Sequence, residues 1–565
     1  MKDKTEGVGK INFLLACVGK LAKFKLDRAS KNCAKAQEKT LRAILDYAKD
    51  TEWGKAHNYA HILESKSAEE LYEKWQANVP VADYEDIRSY VERHKHGEEN
   101  LLFPGKPKMY ATTSGTTKEP KWIPITNEYF NKVYSKMTHL WLYSFMMHRP
   151  KVFEGRCVSI VSKAVEGYAP DGTVYGSVSG VTQRECPDFM KKLYSAPADV
   201  FAIEDYKARY YTIMRFGLEQ NVALLVVCNP STVIELENNV NLYFDDFVDD
   251  IEKGTLSSKM TVSPEIRKAL APCFKPNPER AKELRELKEK YGRILPKHYW
   301  PDLQVLTTWK CGNTKVYMDK YDGTFPEKML YQEFGYFASE CRTGLVMNGK
   351  DDTVLFPHMH YFEFISQNDL DNPQPKFLQL NELEVGKRYS IYVTTWAGLY
   401  RYCMNDLIEC TGFYNSIPTI QFIQKINGII SMTGEKLHER QFMTAVKEAE
   451  SETSFKTRFY VGFADVNQSL YHMYFEFEND GFGQKEADIF ASAVDERLKD
   501  INCEYAEKRA SSRVKKPLAH LLVKDAFEKF KLECISNGAR DGQFKLNLLM
   551  QDEKRQALFN HLIKV

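Results

Sequence analysis

Short runs rich in valine and isoleucine alternate with helical segments through the middle of this chain. Cys157–Val161 and Val222–Val227 have the length and composition of strands that are buried on both faces. Strands of this kind belong to sheets that helices cover, so the pattern predicts an α/β fold. Further strands are predicted at 303–308, 358–365 and 390–395.

The pattern changes after about residue 424. The remaining chain predicts a helix at 441–450, strands at 458–464 and 471–478, and then a helix at 485–498. The chain has 565 residues, of which 43% are hydrophobic, and is longer than a domain with a single hydrophobic core normally is. We therefore predict a large N-terminal domain, residues 1–424, and a small α+β C-terminal domain, residues 425–565.

Composition excludes several classes of partner. The chain has 78 basic and 77 acidic residues, so no overall field attracts nucleic acid or an anionic membrane. Its 12 cysteines include no Cys-x-x-Cys pair, which favours reduced thiols over a disulfide framework. The apolar run Ile11–Val18 is too short to span a membrane and predicts an amphipathic helix. We expect a cytoplasmic protein without nucleic-acid or membrane partners.

A loop rich in hydroxyl groups follows a predicted strand at 108–111. Hydroxyls and backbone N–H groups can surround phosphate oxygens, and lysines add positive charge. The loop lacks the Gly-Lys-Ser/Thr ending of a Walker A sequence, and an ordinary polar loop is the alternative interpretation. The residues concerned are Thr113, Ser114, Gly115, Thr116, Thr117 and Lys121.

Two further segments pair aromatic and charged residues. In 336–340, Tyr336 could stack on a base while Glu340 holds Mg²⁺, and the alternative is a strand end with one exposed acid. In 394–406, Asp406 follows a turn and could accept both ribose hydroxyls, because a carboxylate has two acceptor oxygens. The alternative there is a structural pair between Arg401 and Asp406.

Three lysines accompany the predicted domain boundary and the C-terminal domain. Lys425 lies in a polar link that contains Gly428 and suits a hinge, and Lys436 follows it. Lys545 ends a glycine-rich stretch that begins at Gly538. Taken alone, Lys545 would be interpreted as a surface lysine.

Taken together and in this order, the segments resemble the plant auxin-responsive family of acyl acid–amido synthetases. That family belongs to the superfamily of adenylate-forming enzymes, with acyl-CoA synthetases and firefly luciferase. The resemblance extends from about residue 37 to residue 545. It implies a large N-terminal α/β domain with a β-barrel part and a small, mobile C-terminal α+β domain.

The resemblance also implies roles for individual residues. The loop from Thr113 to Lys121 would surround the phosphates, Tyr336 would pack on adenine, and Ser339 and Glu340 would lie near the phosphates and Mg²⁺. Asp406 would bind the ribose. Matches to the family's nucleotide-binding or hinge segments are Tyr400, Arg401 and Lys425, and matches to its catalytic residues are Lys436, Lys545 and Glu340.

The chain departs from the family pattern in two places. Cys403, Met404 and Asn405 replace an arginine, a valine and a glycine, and Lys118 stands where a glycine is usual. Asparagine can adopt the left-handed backbone that glycine would serve, so we expect Asn405 to be tolerated.

The resemblance implies that ATP and Mg²⁺ activate a carboxylic acid as an acyl-adenylate. The acyl group would then pass to an amine, most simply that of an amino acid. The alternatives are an AMP-forming acyl-CoA ligase and a nucleotide-binding relative that has lost catalysis. Candidate residues for the acid pocket lie in the predicted helix 129–147 and around 309–313.

Overall fold

The computed structural model describes most of the chain, in two compact units. The first unit comprises the described residues up to Met404 together with Ile408–Phe422, and the second comprises Asn405–Leu407 and the residues from Ile423 onward. The described residues are 8–564 except 113–120, Ser162, Pro187, Asn229, 312–320, Asn348, Asp371, 427–428, Ser431, 433–434, Lys436, 511–512 and 537–546.

The first unit contains helices α1–α16, strands β1–β13 and most of strands β14 and β15. Its helices are α1 (Val8–Ser30), α2 (Cys33–Ala48), α3 (Glu52–Ala56), α4 (Tyr59–Leu63), α5 (Ala68–Asn78), α6 (Tyr84–Lys95), α7 (Asn127–Tyr129), α8 (Ser135–His148), α9 (Val178–Glu185), α10 (Asp188–Lys191), α11 (Tyr206–Glu219), α12 (Pro230–Leu242), α13 (Phe244–Lys253), α14 (Pro264–Leu270), α15 (Pro278–Tyr291) and α16 (Pro296–Tyr299). A π-helical turn, Phe130–Tyr134, joins α7 to α8.

The strands of this unit form three sheets. They are β1 (Met109–Thr112), β2 (Trp122–Ile125), β3 (Arg156–Ser159), β4 (Gly167–Tyr168), β5 (Val174–Gly176), β6 (Val222–Val226), β7 (Val305–Thr308), β8 (Leu330–Glu333), β9 (Gly344–Val346), β10 (Thr353–Leu355), β11 (Tyr361–Ser366), β12 (Leu378–Gln379), β13 (Arg388–Thr394), β14 (Tyr402–Tyr414) and β15 (Ile417–Lys425). One of the two four-stranded sheets has the order β2-β1-β5-β4.

A four-stranded parallel sheet, β3-β6-β7-β8, confirms the α/β prediction. The predicted strands at 157–161 and 222–227 are β3 and β6, and they are neighbours in it. Val158, Leu225 and Leu306 are at most 1% exposed and share a hydrophobic core with residues of α11. The continuous apolar runs arise because this sheet is covered, as parallel sheets generally are.

The largest sheet among the described residues has seven strands, and the β-barrel part that the resemblance implied stays a prediction. The order of the sheet is β12-β11-β13-β14-β15-β10-β9, with antiparallel pairing between β11 and β13 and between β10 and its two neighbours. Phe362, Phe364 and Ile391 are fully buried in its core. The strands predicted at 358–365 and 390–395 correspond to β11 and β13.

The second unit is a small α+β structure. Its elements after β15 are β16 (Ile429–Ile430), β17 (Leu437–His438), α17 (Glu439–Thr453), β18 (Thr457–Asp465), β19 (Leu470–Phe477), α18 (Gln484–Ile501), α19 (Cys503–Ala510), β20 (Leu518–Leu521), α20 (Ala526–Ser536), β21 (Leu549–Met550) and α21 (Glu553–Asn560). The main sheet has the order β20-β19-β18-β21. Helices α17 and α18 pack together, and Phe475, Phe490 and Val494 are fully buried in the core that they share with the sheet.

One helix shows how closely local signals specify its ends. Asn277 accepts a hydrogen bond from the backbone N–H of Arg280, Pro278 occupies the first helical position of α15, and Gly292 ends the helix at φ 67°. Within the described ranges, the structure contains no helix with the length and apolar character needed to cross a membrane.

Candidate active site

The segment that contains Tyr336 and Glu340 is a tight loop after β8. Phe337 and Arg342 form an antiparallel bridge, and the N–H of Ala338 donates to the carbonyl of Cys341 at 3.0 Å. Gly335 begins the loop at φ 99°, where a side chain would be strained. The backbone therefore holds Ser339 and Glu340, which are both half-buried, at the end of a fixed loop.

Tyr336 lies at the base of this loop. It is 7% exposed, and its ring lies nearly parallel to that of Phe422, with centroids 6.3 Å apart and an interplanar angle of 21°. The carbonyl of Tyr336 accepts hydrogen bonds from both the N–H and the hydroxyl of Thr343. The position of the ring is thus fixed from two sides.

Glu340 supplies negative charge beside strand β14. Burial raises the pKa of the Tyr402 hydroxyl well above its ordinary value, and the carboxylates of Glu340 and Asp83 raise it further. This effect places Glu340 near the start of β14. A half-exposed carboxylate of this kind can serve as one of the few protein ligands that Mg²⁺ takes beside phosphates.

Asp406 and Lys425 form an ion pair on neighbouring strands of the seven-stranded sheet. Lys425 Nζ lies 2.5 Å from Asp406 Oδ1, and the two side chains are 45% and 3% exposed. Asn405, just before the aspartate, has φ 56°, which confirms the expected left-handed backbone. The asparagine therefore adopts, within β14, the backbone conformation that the family's glycine would serve.

Tyr400 and Arg401 are buried and bonded within the protein, and their predicted role at the nucleotide stays a prediction. The Tyr400 hydroxyl donates to the carbonyl of Leu102 at 2.5 Å, and Tyr400 is 2% exposed. Arg401 Nε donates to Glu363 at 3.0 Å, and these side chains are 4% and 1% exposed. Both side chains thus have partners within the fold. The ion pair of Arg401 is with Glu363, whereas the alternative interpretation placed it with Asp406.

The remaining predicted residues divide into two groups. Lys121 is half-buried beside β2, with Nζ 5.8 Å from the centroid of the Tyr84 ring. The others lie outside the described residues, so their predicted roles stay predictions. They are Thr113, Ser114, Gly115, Thr116, Thr117, Lys436 and Lys545.

The predicted acid-pocket helix packs against the aromatic residues of the β8 loop. Trp141 of α8 lies 5.1 Å from Phe334, and Phe334 lies 5.3 Å from Phe337, measured between ring centroids. Trp309, from the second predicted pocket segment, lies 6.0 Å from Phe334. Both predicted segments thus contribute to one aromatic cluster at the carboxyl end of the parallel sheet, where ligands of such sheets bind.

Glu333, the last residue of β8, was missed by the sequence reasoning. It is 4% exposed and accepts hydrogen bonds from the backbone N–H groups of Lys310, Cys311 and Gly335 at 2.5, 3.1 and 3.2 Å. Burial raises the pKa of its carboxyl group to about 7, although those N–H groups favour the carboxylate. The available signal was an acid at the end of a buried strand.

The Glu333 carboxyl group should make stability depend on pH. Its pKa is raised from 4.5, so the folded state binds the proton more tightly than the unfolded state. The resulting stabilisation is complete below pH 4.5 and is lost as the pH rises through about 7. Relative to Glu333→Gln, the free energy of unfolding of the wild type should fall by about 3 kcal/mol between pH 4.5 and 8.

Urea unfolding of both proteins across this pH range measures the difference. Glu409→Gln, at a side chain that is 30% exposed, is the control for the loss of a carboxyl group. A difference between the wild type and Glu333→Gln that does not change with pH would show that Glu333 titrates normally.

Comparison with solved structures identifies the class of fold. The chain superposes on the GH3.15 acyl acid amido synthetase with a TM-score of 0.82 and 22% identity, covering 96% of this chain and 95% of that one. It superposes on a 2-hydroxyisobutyryl-CoA ligase complex with a TM-score of 0.50 and 13% identity, covering 94% and 91%. The fold is therefore that of the adenylate-forming enzymes.

Family models then identify the family. The GH3 family N-terminal, central and C-terminal domains match residues 22–330, 353–425 and 440–554, and the chain belongs to the GH3 family. An Arabidopsis thaliana relative, indole-3-acetic acid-amido synthetase GH3.3, is 25% identical over 92% of this chain and 90% of its own. The jasmonoyl–L-amino acid synthetase JAR4 of Nicotiana attenuata is 26% identical over 74% of each chain.

Proposed function

We propose that this protein is an AMP-forming acyl acid–amido synthetase, which adenylates a small carboxylic acid and transfers the acyl group to an amino acid. The match of all three family domains along the chain carries the proposal. One relative is named an indole-3-acetic acid-amido synthetase and another a jasmonoyl–L-amino acid synthetase, and we extend that kind of activity to this chain. A cytoplasmic location is part of the proposal.

The first step of this reaction is electrostatically difficult. A carboxylate must attack the α-phosphorus of ATP, so two anions approach each other before pyrophosphate leaves. Fixed positive groups and N–H donors aimed at the developing charge lower such a barrier. We assign that work to the loop 113–121 and to Lys545, with Lys436 as a second catalytic lysine.

Glu340 fits the role of magnesium ligand. Its carboxylate oxygens are hard ligands of the kind that Mg²⁺ prefers. The residue is half-exposed, and the loop after β8 fixes its backbone. Mg²⁺, when bound, would neutralise phosphate charge. Ser339 beside it adds a hydroxyl group toward the phosphates.

Tyr336, Asp406 and Lys425 are assigned to the nucleoside. A fixed aromatic ring offers a surface for adenine, and the Asp406 carboxylate can accept the ribose hydroxyls. One partner of Asp406 is the half-exposed Lys425, which lies beside the predicted hinge. Lys425 would exchange this contact for the nucleotide more readily than a buried partner could.

Transfer to the amine follows without redox chemistry. The amine nitrogen attacks the acyl carbon, AMP leaves with the bonding electron pair, and the amine loses a proton as the amide forms. Water must be excluded during this step because it would hydrolyse the adenylate. The predicted mobility of the C-terminal domain would serve that exclusion.

Pyrophosphate release across a panel of carboxylic acids tests the function. We expect ATP- and Mg²⁺-dependent release with at least one acid, followed by an amide of the expected mass when amino acids are added. A thioester formed with CoA, but no amide, would make the protein an acyl-CoA ligase. ATP binding without pyrophosphate release for any acid would make it a non-catalytic relative.

A further inference from the structure

Arg342 differs from the other buried arginines in having no acidic partner. Four arginines among the described residues are less than 9% exposed, and three of them pair with a glutamate at 3.0 Å or less. No carboxylate forms an ion pair with Arg342 in the described part of the chain. The three pairs are Arg215–Glu219, Arg280–Glu283 and Arg401–Glu363.

The surroundings of Arg342 hold its guanidinium group in place without neutralising it. Nη1 donates to the Thr138 hydroxyl at 2.8 Å and to the Tyr134 carbonyl at 3.4 Å. The rings of Tyr134 and Phe337 each lie 4.3 Å from the guanidinium carbon. Within the described residues, the Nε and Nη2 N–H groups have no acceptor.

Among the described residues, the Arg342 side chain bonds the protein through Nη1 alone, whereas each of the other three buried arginines uses at least two nitrogens. Arg267, which also lacks an acidic partner, donates to three backbone carbonyls at 2.9, 2.8 and 2.5 Å. Arg342 has one hydroxyl and one long contact to a carbonyl. A buried charge is costly unless it is paired, and unused guanidinium N–H groups match the two oxygens of a carboxylate.

The neighbours of Arg342 differ from those of Glu340, two residues earlier. Glu340 acts on Tyr402 of β14, whereas Arg342 contacts Thr138 of α8. The carboxylate that reacts with ATP belongs near the phosphates and Glu340. An anion at Arg342 would therefore be a different group, at the other end of the acid.

An aromatic cluster lies beside Arg342. Phe337 lies against both Arg342 and Phe334, and Trp141 lies against Phe334. We propose that Arg342 binds a second anionic group of the acyl substrate, so that the preferred acid is a dicarboxylic acid with an aromatic or apolar skeleton. This inference rests on the proposed function.

Matched pairs of acids test the inference. Pyrophosphate release is measured with benzoate and terephthalate and with hexanoate and adipate. The wild type should use the better diacid with a kcat/KM at least about tenfold above its monocarboxylic partner. Arg342→Met should lower kcat/KM for the diacid by about 10- to 100-fold, mainly through KM, and leave the monoacid within about twofold.

Two further variants keep the test independent of misfolding. Thr138→Val removes the hydroxyl that orients Arg342, and it should raise KM for the diacid alone by several-fold. Arg149→Met is the control, because Arg149, just after α8, donates to two backbone carbonyls, and it should behave as the wild type. Equal losses for both acids in Arg342→Met and Thr138→Val would overturn the inference.

A direct binding measurement separates this inference from the proposed function. If no acid releases pyrophosphate, saturation-transfer NMR with terephthalate and adipate still tests the site. Binding to the wild type but not to Arg342→Met would support the second-anion site while the synthetase function fails. Absence of binding to the wild type, or equal binding to both proteins, would overturn it. A wild-type preference for monoacids would do the same.

Discussion

Replacing Lys545 with alanine is expected to slow ATP–pyrophosphate exchange by about 10²–10³-fold. In the proposed mechanism, two anions meet at the α-phosphorus, and a lysine there stabilises charge that develops only in the transition state. Such a group acts on kcat more than on the KM for ATP. The exchange assay isolates this half-reaction, since it needs the acid and ATP but no amine.

Another lysine of the C-terminal domain provides the control. Lys524 has a 61% exposed side chain and pairs with Asp480 at 3.0 Å. Lys524→Ala should exchange pyrophosphate at the wild-type rate. If Lys545→Ala also matched the wild type, Lys545 would have no part in adenylation. The catalytic role that the family resemblance implies for this lysine would then be wrong.

The fold was predictable because its strongest signals are local. The strand predicted at 222–227 is β6 to within one residue, since a strand buried on both faces must be apolar along its whole length. The left-handed backbone of Asn405 could be predicted in the same way, because asparagine adopts that conformation more readily than most residues do.

Residues defined by distant partners were not predictable in the same way. Tyr400 matches a nucleotide-binding motif, yet its hydroxyl bonds a carbonyl 298 residues away. The pKa of Glu333 depends on its burial and on N–H groups of Lys310 and Cys311, more than 20 residues earlier. A motif names a segment and its residue types, whereas the role of each side chain depends on what the fold places beside it.

The largest expected effect on stability follows from the buried pair of Arg401 and Glu363. Arg401→Met should lower the free energy of unfolding by about 3–5 kcal/mol, because it leaves the Glu363 carboxylate buried without its counterion. Trp75 Nε1 at 3.0 Å and Gln76 Nε2 at 3.3 Å would remain as donors to that carboxylate. Urea unfolding measures the change.

Two variants identify the cause of that loss. Arg401→Met combined with Glu363→Gln should recover most of the stability, since neither charge is then left unpaired. Arg388→Met breaks the ion pair with Glu409, whose side chains are 34% and 30% exposed, and should cost less than about 1 kcal/mol. A loss in Arg388→Met as large as that in Arg401→Met would mean that burial is not the cause.

The same variant separates the structural role of Arg401 from the role that its motif suggested. At a temperature where Arg401→Met is fully folded, its affinity for ATP should equal that of the wild type, because the guanidinium group is bonded to Glu363 and to the carbonyl of Val79. A variant with wild-type stability that had lost ATP binding would restore Arg401 to the nucleotide site. If Arg401→Met loses stability but still binds ATP, the role of Arg401 is structural.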